Sequence, residues 1–235
     1  MKQFFLALLS MAVLSLQAQT VEEIIQKHNA ALGGLDSFNK VSTEKITGMT
    51  SIQGNDYPLT VQLINGKAMR VDVEVMGQAV VNVCFNGSGW KINPFAGATD
   101  ATDVTGNELN EYKAQTFVAS NLMDYKSRGH LLELVGQEEV EGVKVFNLKL
   151  TTKEDGKVSN YYISTSDYLL IKSVGKREIQ GQEVEISTFY SNYKDFGGLK
   201  FACTRSLQAD GQVFQEVNYE KVELNVPVDE AIFKK

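Results

Sequence analysis

Hydrophobic and polar positions follow two different periods along the chain. Thr20-Val21-Glu22-Glu23 reads as a capping box, with Thr20 at the N-cap and Glu23 at the third helical position. Val21, Ile24, Ile25, His28 and Leu32 follow at helical spacing, and Gly33-Gly34 ends the run, so the pattern predicts a helix with one apolar face. A short helical turn over Leu35–Lys40 is expected next. From Val41 to about Pro94 the period becomes two. Ile46, Gly48, Thr50 and Ile52 alternate with polar neighbours, as do Leu59, Val61 and Leu63, and then Met69, Val71, Val73 and Val75. Val81, Val83 and Phe85 continue the alternation, and Trp90 opens a further short strand. Gly54-Asn55, Asn65-Gly66, Gly77 and Asn86-Gly87 fall between these runs where hairpin turns are needed, so the segment predicts a meander.

Residues Phe95 to Gly106 break the alternation with Gly, Ala, Thr and Asp. Thr105-Gly106-Asn107-Glu108 is a second candidate capping box, opening a helix with Leu109, Tyr112, Thr116, Phe117 and then Leu122 or Met123 on its apolar side. Alternation resumes at Leu131 and runs to Leu224, with turn residues recurring at roughly 10 to 15 positions. The sum is a mainly β (α+β) chain: one large antiparallel sheet or barrel of about eleven strands, with a loop and amphipathic helix placed between two meanders to cover an open mouth of the sheet. No linker divides the two meanders, so residues 19–235 are expected to form one domain.

The extreme N-terminus stands apart. Lys2 precedes an apolar run from Phe4 to Leu16 that only Ser10 and Ser15 interrupt, and Gln17-Ala18 leads into polar sequence. Residues 1–18 are expected to be a secretory signal peptide cut after Ala18, because the run is short for a membrane span; an uncleaved anchor is the alternative. On that reading the mature protein is expected outside the cytoplasm. The formal charge of −6 and the lack of any Lys/Arg cluster remove the electrostatic footprint of a nucleic-acid binder and of an anionic-lipid patch. Cys84 and Cys203 lie in apolar strand runs without CxxC spacing, which fits two buried thiols, although export would permit a disulfide.

Candidate chemistry is sparse. His28 and His130 are the only two histidines, neither has a neighbouring Cys ligand, and no H-E-x-x-H or H-x-x-E-H spacing occurs, so no metal site is predicted. Gly87-Ser88-Gly89 lacks the spacing of a nucleophile elbow and suits a hairpin turn. Phosphate-cradling glycine motifs are absent, and Asp100 and Asp103 suit a solvated loop. The expectation is no catalytic residue, no cofactor and no enzymatic activity. The alternating faces then either fill a core with one another or line a cavity, and both outcomes share one binary pattern.

Four segments carry a family resemblance. V-E-E-I-I-Q-K-H-N-A-A-L-G-G-L-D-S-F-N-K-V-S-T-E-K-I-T-G-M-T over Val21–Thr50 resembles the opening of LolA/LolB-like lipoprotein-localisation proteins of Bacteroidetes type. Phe85-Asn-Gly-Ser-Gly-Trp90-Lys-Ile-Asn-Pro94 is similar to their "nG…W…P" hairpin. Tyr161-Tyr162-Ile163 with Tyr168-Leu-Leu-Ile-Lys172 resembles a strand pair of the family, and Asn225-Val-Pro-Val-Asp-Glu-Ala-Ile-Phe233 its closing segment. The resemblance implies a single curved antiparallel sheet, an unclosed β-barrel of about eleven strands with helices covering the concave side, and a periplasmic carrier, acting as a monomer, that binds lipid or lipoprotein acyl chains. On that reading Met69, Val71, Val73, Val81, Val83, Phe146, Leu148 and Ile186 are candidate cavity liners, and Leu109, Tyr112 and Phe117 candidate lid residues. Arg70 matches a basic residue on the family's third strand and is a candidate lid contact. Such domains also occur attached to insulinase-type peptidases, so the alternative is a non-catalytic envelope sensor or an accessory domain for a protein partner.

Overall fold

The computed structural model describes residues 19–179 and 182–235. Helix α1 (Val21–Leu32) begins at the capping box read from the sequence: the Thr20 hydroxyl accepts from the Glu23 amide, and the Glu23 carboxylate accepts from the Thr20 amide. Its buried stripe is Ile24, Ile25, His28 and Leu32. Gly33 ends it at φ +112°, where a Cβ would lie 2.2 Å from the Gly198 carbonyl oxygen, so both the conformation and the close approach require glycine. Helix α2 (Leu35–Lys40) follows and buries Phe38.

The first meander runs through β1 (Thr43–Ile52), β2 (Asn55–Ile64), β3 (Ala68–Val75), β4 (Gln78–Phe85), β5 (Ser88–Asn93) and β6 (Ala98–Val104). Helix α3 (Gly106–Ala114) and a series of turns to residue 130 come next. The second meander consists of β7 (Leu131–Val140), β8 (Val143–Thr151), β9 (Val158–Ser164), β10 (Leu170–Ile179), β11 (Gln182–Phe196), β12 (Leu199–Ala209) and β13 (Gln212–Leu224). All thirteen strands belong to one antiparallel sheet, in the order β6-β5-β4-β3-β2-β1-β13-β12-β11-β10-β9-β8-β7. The meanders join where β1 pairs with β13, and the sheet's free edges are β6 and β7.

This order dictates curvature. The two edge strands are consecutive in the chain, so residues 105–130 must cross from one edge to the other. Flat, thirteen strands would set those edges on the order of 60 Å apart. The crossing segment nevertheless touches the whole sheet. Tyr112 and Leu109 pack on Met69, Val71 and Cys84 of the first meander. Ala119 and Met123 join Ile46, Phe201 and Val222 near the seam, and Leu122 joins Phe146, Leu148 and Ile163 of the second. The sheet therefore curls around its own crossover without closing. A bulge sharpens the bend at the seam: the register shifts between Thr47 and Gly48, which oppose Lys221 and Tyr219. A Cβ on Gly48 would stand 2.0 Å from the Asn218 carbonyl oxygen.

The expected antiparallel, unclosed sheet is present, with thirteen strands where about eleven were read from the sequence. One strand missed is β6, in the stretch taken as irregular. An edge strand needs no buried face, and Ala98–Val104 buries only Val104. The second helix is also shorter than its apolar spacing predicts. It ends at Ala114, and the Thr105 side chain makes no capping hydrogen bond. Glu108 instead pairs with Lys91, at 2.7 and 2.8 Å. The signal-peptide reading lies outside the described residues. Both cysteines are buried free thiols, Cys84 on β4 and Cys203 on β12.

Candidate functional site

The register identifies the residues that face the concave interior. On β8, Phe146, Leu148 and Leu150 point inward; their partners on β9 are Ile163, Tyr161 and Ser159. Tyr161 and Ser159 in turn oppose Ser173 and Gly175 of β10, which oppose Thr188 and Ile186 of β11. Side-chain volume falls sharply along this row. The β8 residues fill their space and are capped by Ile24 and Ile25 of α1 and by Leu122. One to three strands away the inward positions include Ser159, Ser173, Gly175 and Thr188, small side chains beside Tyr161 and Ile186 that leave space beneath the crossover. The result is a cleft of about 500 Å³, open to solvent on one side and within the range of small-molecule sites.

The cavity is apolar at Leu150, Ile186 and Phe117, polar where Ser173, Thr188, Tyr161 and Tyr190 reach it, and charged where Lys113, Glu154, Lys176 and Arg177 do. Its roof is α3 and the turns after it, held by a few directed contacts. Arg128 bonds the Asn121 side-chain oxygen at 2.5 Å and the Ala119 carbonyl at 2.6 Å, and its guanidinium lies 4.2 Å from the Phe117 ring centroid. Asn65 accepts from the Val118 amide at 3.2 Å, and Thr116 accepts from the Gly66 amide at 2.8 Å, fixing the roof to the β2–β3 turn. At the mouth, Lys157 forms an ion pair with Glu111 and Asn110 donates to Asp155, linking α3 to the β8–β9 hairpin.

Titratable groups in and near the site are tuned by burial. His130 accepts from the Lys153 amide through Nδ1 at 3.2 Å, so its neutral ring carries the proton on Nε2, which is buried and unpartnered among the described residues. Burial lowers its pKa, against the nearby Glu154 carboxylate, which raises it. His28 is held below its usual value in the same way; its Nδ1 donates to the Tyr168 carbonyl at 2.7 Å, a packing role beneath α1. Deeper in the sheet, burial raises Glu44 on β1 to about 7 despite the opposing charge of Arg205. Among the described residues no group of three His, Cys, Asp or Glu side chains is placed to hold a metal ion.

The residues singled out from the sequence fall into three places. Ile186 and Phe117 border the cavity. Phe146 and Leu148 are buried under α1, while Met69 and Val71 pack beneath Leu109 and Tyr112 of α3, whose hydroxyl donates to Asn82 at 2.6 Å. Val73 shares that inward face through its pairing with Leu59 and Val80. Val81 and Val83 lie on the opposite, convex face, packed with Trp90 and Phe233. Arg70, the candidate lid contact, is on that face too: its guanidinium binds Asp72 and the Ile232 carbonyl (2.6 Å), on the side covered by the C-terminal turn and opposite to that covered by α3. Strand alternation gives two faces without saying which is concave, and β3 and β4 are covered on both. Tyr161, Ser173, Gly175, Thr188 and Tyr190 were missed; the run of small inward residues on adjacent strands was the available signal.

No family model matches the chain, and no curated protein does. Solved structures do. A LolA superfamily protein from Nitrosomonas europaea superposes with a TM-score of 0.60 at 14% identity, over 93% of this chain and 99% of that one. A domain from Vibrio parahaemolyticus, described as that of an outer membrane lipoprotein-sorting protein, gives 0.59 at 14% identity over 91% and 97%. A DUF1329 family protein from Desulfovibrio piger gives 0.59 at 13% identity over 92% and 98%. At such identities the likeness concerns architecture, and with the open thirteen-strand sheet and its covered concave side it leads to one conclusion: this chain has the LolA-like fold.

Proposed function

We propose that the protein is a non-catalytic carrier that holds an acyl chain or similar apolar ligand in the cavity between α3 and strands β8–β11. The observation that carries this reading is the cavity itself: about 500 Å³ left by Ser159, Ser173, Gly175 and Thr188, with Leu150, Ile186 and Phe117 offering apolar contact. A cleft with apolar walls under a helical roof offers a ligand burial that an open sheet face would not. Each methylene buried there gains about 0.8 kcal/mol before ordering costs, so a chain of roughly a dozen carbons is held reversibly. The roof is suited to exchange. Its link to the β8–β9 hairpin is a partly exposed ion pair and one long hydrogen bond, contacts that give way at little cost. Localisation in the periplasm, action as a monomer and service to lipoproteins extend this reading, supported by the sequence resemblance and by the LolA-like fold. Native mass spectrometry of protein purified from its own envelope is expected to show a lipid-sized adduct. A uniformly empty protein, or one that emerges from envelope extract with a stable protein partner and no lipid, would favour the accessory-module alternative.

A further inference from the structure

One cation on the concave face makes no ion pair among the described residues. Arg205 of β12 faces the concave side, between its register partners Tyr190 on β11 and Val217 on β13. Its guanidinium lies 4.8 Å from the Tyr219 ring centroid and 6.0 Å from that of Tyr190. None of the ion pairs among the described residues includes it, and its Nε is buried with no hydrogen-bond partner there. The residue as a whole is half-buried, and of its nitrogens only Nε is both buried and unpartnered among the described residues, so the aromatic faces replace only part of the hydration lost there. The neighbouring tyrosine is shared with the cavity: Tyr190 both flanks Arg205 and lines the space beneath α3, with its hydroxyl bonded to Ser173 at 3.0 Å. The cavity therefore runs from apolar contacts under Phe117 to Tyr190; Arg205 does not itself line it but lies on the neighbouring strand, against the same tyrosine.

We infer that Arg205, flanked by Tyr190 and Tyr219, receives the anionic headgroup of an amphiphile whose apolar tail lies in the cavity. The inference rests on the carrier reading and specifies its ligand class: a single-chain amphiphile with a carboxylate or phosphate end. Guanidinium matches either group with paired N–H donors, and hydrogen bonds to an ionised acceptor are about twice as strong as neutral ones. Glu44 is the competing carboxylate in the same interior. It makes no ion pair with Arg205, its Oε1 is buried and unpartnered among the described residues, and burial holds it partly protonated near neutrality, which weakens its claim on the arginine.

The test measures displacement of a neutral naphthylamine fluorophore from the full mature chain by laurate, by lauryl alcohol and by acetate. Laurate is expected to bind about tenfold more tightly than the alcohol, with acetate alone ineffective. Arg205→Gln should bring laurate down to the level of the alcohol and leave the alcohol unchanged, while Arg205→Lys keeps part of the preference. Glu44→Gln, which removes only the competing carboxylate, should tighten laurate further. Equal binding of laurate and alcohol by the unaltered protein overturns the headgroup site while leaving the carrier reading intact, whatever the folding of the variants. A preference that survives Arg205→Gln, or acetate competing as well as laurate, overturns it too. Failure of both amphiphiles to displace the fluorophore defeats the carrier reading and the headgroup site together.

Discussion

At the residue scale, two positions inside the first strand tie sequence to stability in opposite ways. Glu44 is buried, and its carboxyl is raised to about 7 chiefly by desolvation, with Arg205 opposing. A carboxyl raised on folding binds its proton more tightly in the native state than in the unfolded chain. Its favourable contribution is present in full below the ordinary carboxylate value and is lost as pH rises through about 7. Urea unfolding from pH 5 to pH 8 should therefore show stability falling across that window, by on the order of 2 kcal/mol. In Glu44→Gln that decline should be absent; an unchanged slope would mean that Glu44 titrates normally. Gly48 is a matter of space. A methyl group there would stand 2.0 Å from backbone oxygen, which no side-chain rotation relieves. Gly48→Ala is expected to cost about 2 kcal/mol or more by forcing the β1–β13 bulge apart, read as a lower urea midpoint. Gly48 appears in the sequence as one more alternating position; nothing local announces a bulge on a strand far away in the chain.

At the scale of elements, local signals located α1 to the residue and misplaced the crossover. The capping box, the apolar stripe and the Gly-Gly stop of α1 are all short-range features, and the structure uses each of them. Residues 115–130 carry a helix-like spacing at Phe117, Leu122 and Met123, but their backbone is fixed by tertiary bonds, such as Arg128 to Asn121 and Ala119 and the Val118 amide to Asn65. Those partners are up to 53 positions distant and override propensity. The Lys157–Glu111 pair is the contact that keeps α3 against the β8–β9 hairpin. Because both side chains are partly exposed, Glu111→Gln should lower global stability by less than about 1 kcal/mol. Amide hydrogen exchange in α3 should nonetheless quicken while α1 stays unchanged, since the pair controls local opening. Equal protection of α3 in the variant would show that the roof is held elsewhere.

At the scale of the whole molecule, the alternation of β1–β5 and β7–β13 was enough to give one open antiparallel sheet. It could not tell the concave face from the convex one. Arg70, Val81 and Val83 are the consequence: the C-terminal turn (Glu230–Phe233) covers their face, so convex residues look as apolar as concave ones. Nor could a binary pattern separate packed core from cavity, because the space depends on Ser159, Ser173 and Gly175 being small on two adjoining strands, a feature of pairing order. The central claim is that this space holds a ligand. Native mass spectrometry of the protein and of Ile186→Trp, both purified from the envelope, tests it most directly. The larger ring should occupy the cavity at a modest overpacking cost of about 1–3 kcal/mol. The account predicts a lipid-sized adduct on the unaltered protein and none on a folded Ile186→Trp; an empty unaltered protein, or an adduct that the variant retains in full, would contradict it.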